Sequence, residues 1–234
     1  MAAKSAQVFN QLWRLRSQQP PQLHTGFAST QQNESYCASE IFPDECILFA
    51  QGFGDKKQEI VTEILSTVLL AYTIQRKKRF YSEAKEHLIK QLFKIAAKKV
   101  LKTSGLHDSR AHLVILCSSA RSWWWGILGD LRIYLYRDRA LTGFTQKTDG
   151  IELMFGQTLT VHPTLYREVA LRNDRFIIAT PDLLATLNEK RLSQQLTEAF
   201  SAELQLKSCA DQLLYEAIKR RKQAQYAVLL VERV

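Results

Sequence analysis

The sequence has no stretch that could cross a membrane as a helix. Of its 234 residues, 46% are hydrophobic and 24% are charged. No apolar run approaches the roughly 20 residues that span a bilayer. This composition is typical of one globular domain that can bury a substantial core. We therefore expect a soluble domain without integral membrane association.

The signatures of several kinds of catalytic and metal sites are also missing. The histidines show no paired spacing. There is no glycine-rich phosphate loop followed by Lys-Ser/Thr and no Gly-x-Ser-x-Gly elbow. The cysteines form no CxxC pair and have no histidine at zinc spacing, so we expect buried thiols in a reducing compartment. They are Cys37, Cys46, Cys117 and Cys209.

Acidic residues are absent from the N-terminal segment, where none precedes Glu34. Basic and apolar residues alternate there, as in a mitochondrial presequence or in a short surface helix that docks on a partner or on its own domain. Residues 17–22 form a polar, proline-containing linker. We predict a basic amphipathic segment and linker over residues 1–22 and one domain over residues 23–234. The predicted location is the cytoplasm, with the mitochondrial matrix as the alternative.

The formal net charge of +9 suggests an acidic partner, such as a nucleic acid, an anionic surface or an acidic protein. Two basic clusters each follow an apolar stretch with helical spacing. Cations at the C-terminal end of a helix complement its dipole, so the clusters either end helices or bind such a partner. They consist of Arg76, Lys77, Lys78 and Arg79, and of Lys219, Arg220, Arg221 and Lys222.

Hydrophobic patterns divide the rest of the chain into strands and helices. Apolar residues at helical spacing predict one helix that contains Ile60 and a second that contains Leu88. Two further helices are predicted to begin near Asn188 and near Ser208, each a potential N-cap. Apolar runs predict strands at residues 46–50, 112–117, 123–128, 132–137, 175–180 and 227–231.

The order of these elements predicts a layered α+β fold. The three predicted strands between residues 112 and 137 are separated by short turns, so we expect them to form a meander. The continuous apolar runs at 175–180 and 227–231 are typical of central strands. Two stacked, mainly antiparallel sheets with a helix pair outside each would bury all of these elements. We therefore predict a four-layer α-β-β-α sandwich.

Three consecutive tryptophans lie in one predicted strand. Because side chains alternate along a strand, Trp123 and Trp125 are expected on one face and Trp124 on the other. At least one ring should then be in the core. An outward-facing Trp124 could contact a protein partner or a nucleobase.

The block Gly129-Asp130-Leu131-Arg132 is similar to Gly-Asp-Ser-Arg, a motif of the PP2C-type (PPM) serine/threonine protein phosphatases. Several other blocks resemble further motifs of this family in order and spacing. The resemblance runs from about residue 24 to the end and implies the PP2C-like sandwich fold. Asn33-Glu34-Ser35 is similar to the motif Asn-Glu-Asp, and Gln51-Gly52-Phe53-Gly54-Asp55 is similar to Asp-Gly-x-Gly-Gly. Residues 173–183 are similar to Gly-Asp-x-x-Leu-Leu-x-Ser-Asp-Gly-Leu, and residues 223–228 stand where the family has Asp-Asn-Ile-Thr.

The departures from these motifs concern the metal ligands. The resemblance implies a binuclear metal site that binds phosphate and activates water, and such a site needs several carboxylates. Here the aspartate positions are taken by Ser35, Gln51, Pro181 and Ala224, although a shift of one residue would bring Asp182 to the third of them. The acids that remain in or beside the motifs are Glu34, Asp55, Asp130 and Asp182, which could form a rebuilt single-metal site.

These substitutions predict a catalytically inactive relative, a pseudophosphatase, that needs no cofactor. We expect it to act as a protein-binding, scaffold or regulatory subunit whose partner is a phosphoprotein, a kinase, a phosphatase or a larger complex. The alternative is a nucleic-acid-associated component of a ribonucleoprotein assembly. A phosphatase with a rebuilt metal site is the third possibility.

Overall fold

The computed structural model describes residues 23–30, 35–42, 46–76, 84–103, 109–119, 121–144, 161–221 and 224–233. The predicted N-terminal segment, residues 1–22, lies outside these ranges. The strands are β1 Leu23–Ser29, β2 Ser35–Phe42, β3 Cys46–Phe53, β4 Arg110–Ser118, β5 Ser122–Leu128, β6 Arg132–Arg137, β7 Ala140–Gly143, β8 Thr164–Val169, β9 Arg175–Ala179 and β10 Ala227–Arg233. The helices are α1 Lys57–Arg76, α2 Ala84–Lys102, α3 Pro181–Leu187, α4 Glu189–Ser201 and α5 Leu206–Arg220.

The strands form two antiparallel sheets of five strands each. The first sheet has the order β1-β10-β9-β6-β7 and the second has the order β2-β3-β4-β5-β8. Strands β9 and β10 have a partner on both sides, as their continuous apolar sequences predicted. The predicted α+β sandwich is confirmed.

Three apolar clusters hold the layers together. The middle cluster lies between the sheets and includes Phe49, Trp123 and Trp125. A second cluster packs α1 and α2 on the second sheet, and Trp124 belongs to it. A third packs α3, α4 and α5 on the first sheet. The predicted alternation of the three tryptophans between two faces is therefore confirmed.

The predicted meander is wrong in one respect, because β6 belongs to the other sheet. Strands β4 and β5 pair with each other, whereas β6 pairs with β7 and β9. The chain crosses between the sheets at Gly129, whose φ of 98° is accessible to glycine at little cost. Leu131, two residues on, is fully buried in the cluster between the sheets. The start of β6 belongs to the first sheet because Arg132 pairs with Ala179 of β9.

The two predicted helix starts have different outcomes. The side-chain oxygen of Asn188 accepts a hydrogen bond from the backbone N–H of Arg191 at 3.0 Å, which confirms the predicted cap. The last helix begins at Leu206, before the predicted Ser208. The buried Leu206 crosses β1 closely, because a Cβ on Gly26 would lie 2.2 Å from the backbone of Leu206.

One buried carboxylate links the two sheets. The side chain of Asp174 is fully buried and accepts a hydrogen bond from Nε1 of Trp123 in the second sheet at 2.9 Å. It also accepts bonds from Nε of Arg137 in the first sheet, at 2.8 Å, and from the backbone N–H of Leu171, at 2.8 Å. Charged partners make such bonds stronger than neutral ones. Asp174 therefore ties β5 to β6 across the sandwich.

Candidate functional site

A cleft of about 340 Å³ lies where the ends of several elements meet. Strand β3 contributes Gln51 and Phe53, and β4 contributes Arg110 and His112. The turn before β6 contributes Asp130. The first turn of α3 contributes Pro181 and Asp182. Four of the predicted site residues, Gln51, Asp130, Pro181 and Asp182, are thus brought together in one cleft.

The inner wall of the cleft is neutral. Gln51 and His112 are opposite each other on β3 and β4, and only 4% and 3% of their surfaces are exposed. Burial lowers the pKa of His112 to about 4, so its ring is neutral near pH 7. Neither ring nitrogen of His112 has a hydrogen-bond partner among the described residues. The wall therefore offers an imidazole and an amide, which can donate and accept hydrogen bonds without a charge.

The packing of the His112 ring depends on its neighbours. Its centroid lies 4.9 Å from that of Phe53, at an edge-to-face angle of 62°. A Cβ on Gly129 would come within 2.2 Å of Cδ2 of His112. Glycine at position 129 thus serves both the positive φ of the turn and the close approach of the imidazole.

The two carboxylates of the cleft have different surroundings. Asp130 forms an ion pair with Arg132 in which Oδ1 and Nη2 are 2.5 Å apart. Both side chains are largely buried, with 22% and 15% of their surfaces exposed, so the charge of Asp130 is offset within the protein. Asp182 lies in the first turn of α3 and is partly exposed. Arg110 in the lining and Arg132 beside it together offset the charges of the two carboxylates.

The first turn of α3 is held over the cleft by β10. Thr180 is fully buried, and its hydroxyl donates to the carbonyl of Gln225 at 3.3 Å and accepts from the N–H of Ala227 at 3.1 Å. Pro181 follows directly as the first helical residue, a position that suits proline because its missing N–H leaves no bond unmade. The motif position of Pro181 therefore supplies a rigid apolar wall.

These residues do not fit a binuclear metal site. Two divalent cations need several carboxylate oxygens to offset their charge. Within the described ranges the cleft supplies Asp182 and an Asp130 already paired with Arg132, while Gln51 is neutral. In the same part of the chain, no group of three or more His, Cys, Asp or Glu side chains could hold a metal ion. Asn33 and Glu34 lie outside the described residues.

The other motif residues serve backbone geometry or lie elsewhere. Gly52 lets β3 approach α1, because a Cβ there would lie 2.3 Å from the carbonyl oxygen of Lys57. Gly54 has a φ of 89° in the turn that follows β3. Asp55 lines a separate cleft of about 550 Å³ beside the start of α1. Ala224 is buried in the helix-covered cluster of the first sheet, and Ser35 is the first residue of β2.

The predicted partner contacts are only partly described. Arg76 is the last residue of α1, and Lys219 and Arg220 lie in the last turn of α5, so these three described members of the clusters lie at helix ends. Arg221 caps α5. Lys77, Lys78, Arg79 and Lys222 lie outside the described residues. Only 8% of Trp124 is exposed, and Arg167 lies over its ring at 4.7 Å. The outward ring face that the sequence suggested for Trp124 is thus covered.

Two residues of the cleft, Arg110 and His112, were missed by sequence reasoning. The search for paired histidines could not find a single imidazole that faces an amide on another strand. Their positions in the cleft follow from the β3–β4 register, in which His112 is opposite Gln51 and Arg110 is opposite Phe53. The signal was the apolar run at 112–117, whose N-terminal end meets the C-terminal end of the run at 46–50.

No protein-family model and no curated protein matches the sequence. Solved structures do match. The Mycobacterium tuberculosis serine/threonine phosphatase PstP/Ppp matches with a TM-score of 0.72 and 14% identity, over 90% of this chain and 98% of that chain. PppA, a key regulatory component of the T6SS in Pseudomonas aeruginosa, matches with a TM-score of 0.73 and 15% identity, over 91% and 98%.

A third structure, the PPM Ser-Thr phosphatase MsPP from Mycobacterium smegmatis in complex with cacodylate, has a TM-score of 0.71 and 13% identity, over 90% of this chain and 98% of that chain. The protein thus has the fold of the PPM-type serine/threonine phosphatases. No helix in the described part of the chain is long and apolar enough to cross a membrane.

Proposed function

We propose that this chain is a non-catalytic protein that uses the PPM-type fold to bind a protein partner. The observation that supports the proposal is the buried amide of Gln51, at a position where the sequence resemblance implies a metal-bridging aspartate. An amide cannot offset the charge of two dications, and the carboxylate of Asp130 is already paired with Arg132. For comparison, the structure of the catalytic domain of PstP contains 2 manganese ions.

Metal titration combined with a phosphatase assay tests the loss of catalysis. The full chain is titrated with Mn²⁺ and with Mg²⁺ by calorimetry, and the same sample is assayed with p-nitrophenyl phosphate. The catalytic domain of PstP is the positive control under identical conditions. We expect neither metal binding nor turnover above the rate without protein. A rebuilt active site would instead give metal-dependent turnover that Asp130→Asn or Asp182→Asn abolishes, and this result would contradict the proposal.

A regulatory role has a parallel among the solved structures. PppA, which shares the fold, is described as a key regulatory component of the T6SS. The proposed partners are a phosphoprotein, a kinase, a phosphatase or a larger complex in the cytoplasm. Cross-linking in cells followed by mass spectrometry tests this role, with purified candidates then assayed for binding at low and high salt. A protein complex that persists at high salt supports the proposal, because surface charges are screened there.

A nucleic-acid-associated role is the second candidate, and the net charge of +9 favours it. Each phosphate contact releases counterions, so RNA affinity should fall steeply with salt. Fluorescence anisotropy with a labelled single-stranded RNA measures this slope. A triple variant that replaces Lys219, Arg220 and Arg221 with glutamine should flatten it if the end of α5 is the contact. No measurable RNA binding at low salt would remove this candidate.

A further inference from the structure

Two of the four cysteines are direct neighbours across adjacent strands. Cys46 is the first residue of β3, and Cys117 is the next-to-last residue of β4. The two are opposite each other in the antiparallel register. Their sulfur atoms are 3.5 Å apart, with the thiol of Cys117 donating to Sγ of Cys46.

This arrangement meets the distance requirements of a disulfide. Residues directly opposite on antiparallel strands have Cα atoms about 4.5–5.5 Å apart, within the range of about 4.4–6.8 Å that disulfides span. Both side chains lie on the same face, because both belong to the cluster under α1 and α2. An S–S bond is about 2.05 Å long, so each sulfur needs to move by only about 0.7 Å.

We propose that Cys46 and Cys117 form an intramolecular disulfide when the protein meets a small disulfide such as oxidised glutathione. One protein thiolate attacks the reagent, forming a mixed disulfide and releasing the first reagent thiolate. The second protein thiolate attacks the protein sulfur of that mixed disulfide and releases the second. The protein thiols lose two electrons to the reagent, and their two protons end on the two released thiols. This inference is independent of the proposed function.

Access to the pair is through the strand ends. The side chains of Cys46 and Cys117 are 1% and 0% exposed, so the reagent reaches them when the end of the β3–β4 ladder opens locally. The cleft lies at the opposite end of the same two strands, where Gln51 faces His112. A bond at one end of the ladder therefore leaves the cleft residues in place while holding both strands together.

The other two cysteines supply matched controls. Cys37 is opposite Gln51 on β3, and Cys209 lies on α5. Burial raises the pKa of the Cys37 thiol to about 12 and that of Cys209 to about 11. A raised pKa leaves little thiolate, and neither residue lies opposite another cysteine, so neither should enter a cross-link.

The test is thiol mapping of the full chain after incubation with oxidised glutathione. The protein is denatured, alkylated with iodoacetamide and digested, and the peptides are identified by mass spectrometry. We expect a cross-linked peptide that joins Cys46 to Cys117, loss of two alkylatable thiols, and a higher midpoint of thermal unfolding that dithiothreitol reverses. The double variant Cys37→Ala/Cys209→Ala should keep all three effects, and Cys46→Ala or Cys117→Ala should abolish them.

The proposal is overturned if the full chain gives no Cys46–Cys117 peptide at the end of the incubation. It is also overturned if glutathione adducts on Cys37 and Cys209 form as fast as the cross-link. The peptide map of the chain without substitutions decides both outcomes, so the inference remains testable even if an alanine variant does not fold.

Discussion

Replacement of Asp174 measures how strongly one buried carboxylate joins the two sheets. The variant Asp174→Asn keeps the shape but removes the charge that faces Arg137 and turns an NH₂ group toward donors such as Nε1 of Trp123. Removing one partner of a buried ion pair costs about 3–5 kcal/mol. The Arg137 side chain is 26% exposed, so water can partly solvate it. We therefore expect the lower end, a loss of about 3 kcal/mol in the free energy of unfolding.

Urea unfolding followed by far-ultraviolet circular dichroism measures this loss, because it does not depend on the fluorescence of Trp123. The matched control is Glu232→Gln, which breaks the Arg175–Glu232 pair on the first sheet, where 24% and 18% of the side chains are exposed. The carboxylate of Glu232 keeps some contact with water and that of Asp174 keeps none, so Glu232→Gln should cost clearly less than Asp174→Asn. If Asp174→Asn costs no more than Glu232→Gln, the assigned role of Asp174 is wrong. A double-mutant cycle with Arg137→Gln then isolates the coupling between the two charges.

Three further predictions concern the cleft. Burial lowers the pKa of His112 from 6.5 to about 4. Between these two pH values the imidazole is protonated in the unfolded chain and neutral in the folded protein. The free energy of unfolding should have its full value above about pH 6.5. It should fall by up to roughly 3 kcal/mol as the pH drops to about 4. Urea titrations across this range should show a smaller fall in His112→Gln, and equal slopes would contradict the assignment. Gly129→Ala should cost more than about 2 kcal/mol, because of the positive φ and the 2.2 Å approach to His112. Gly143→Ala, whose added Cβ would lie 3.0 Å from the Tyr134 ring, should cost less in the same assay. EDTA should leave the thermal midpoint unchanged, and a lower midpoint would indicate a structural metal.

Much of the fold follows from local pattern. The apolar runs at 46–50, 175–180 and 227–231 are buried strands of the sheets, and the periodicity that includes Ile60 is the face of α1 that packs on the second sheet. The apolar runs did not predict the four edge strands β1, β2, β7 and β8, because strands with one unpaired edge and partly exposed residues have no continuous apolar run. Local pattern also cannot say which sheet a strand joins, and this is why β6 was misplaced.

The cleft was predictable only in part, for a related reason. Motif order identified Gln51, Asp130, Pro181 and Asp182, and these residues do line one cleft. His112 enters it through strand register, which pairs residues far apart in sequence. The commitment of Asp130 to Arg132 likewise depends on how the turn before β6 places two nearby side chains. The place of His112 in the cleft and the ion pair of Asp130 could therefore be identified only from the folded structure.

The pairing of β1 with β10 also constrains how the protein is made. Thr30 and Tyr226, which hydrogen-bond at the end of this pairing, are separated by 196 positions in the sequence. A ribosome that adds about 5–20 residues per second takes roughly 10–40 s to synthesise that stretch. Strands β2 to β5 of the second sheet emerge much earlier and can pair before β10, the partner of β1, has been synthesised. The nascent chain is therefore expected to need chaperone protection most during the interval before its closing strand leaves the ribosome.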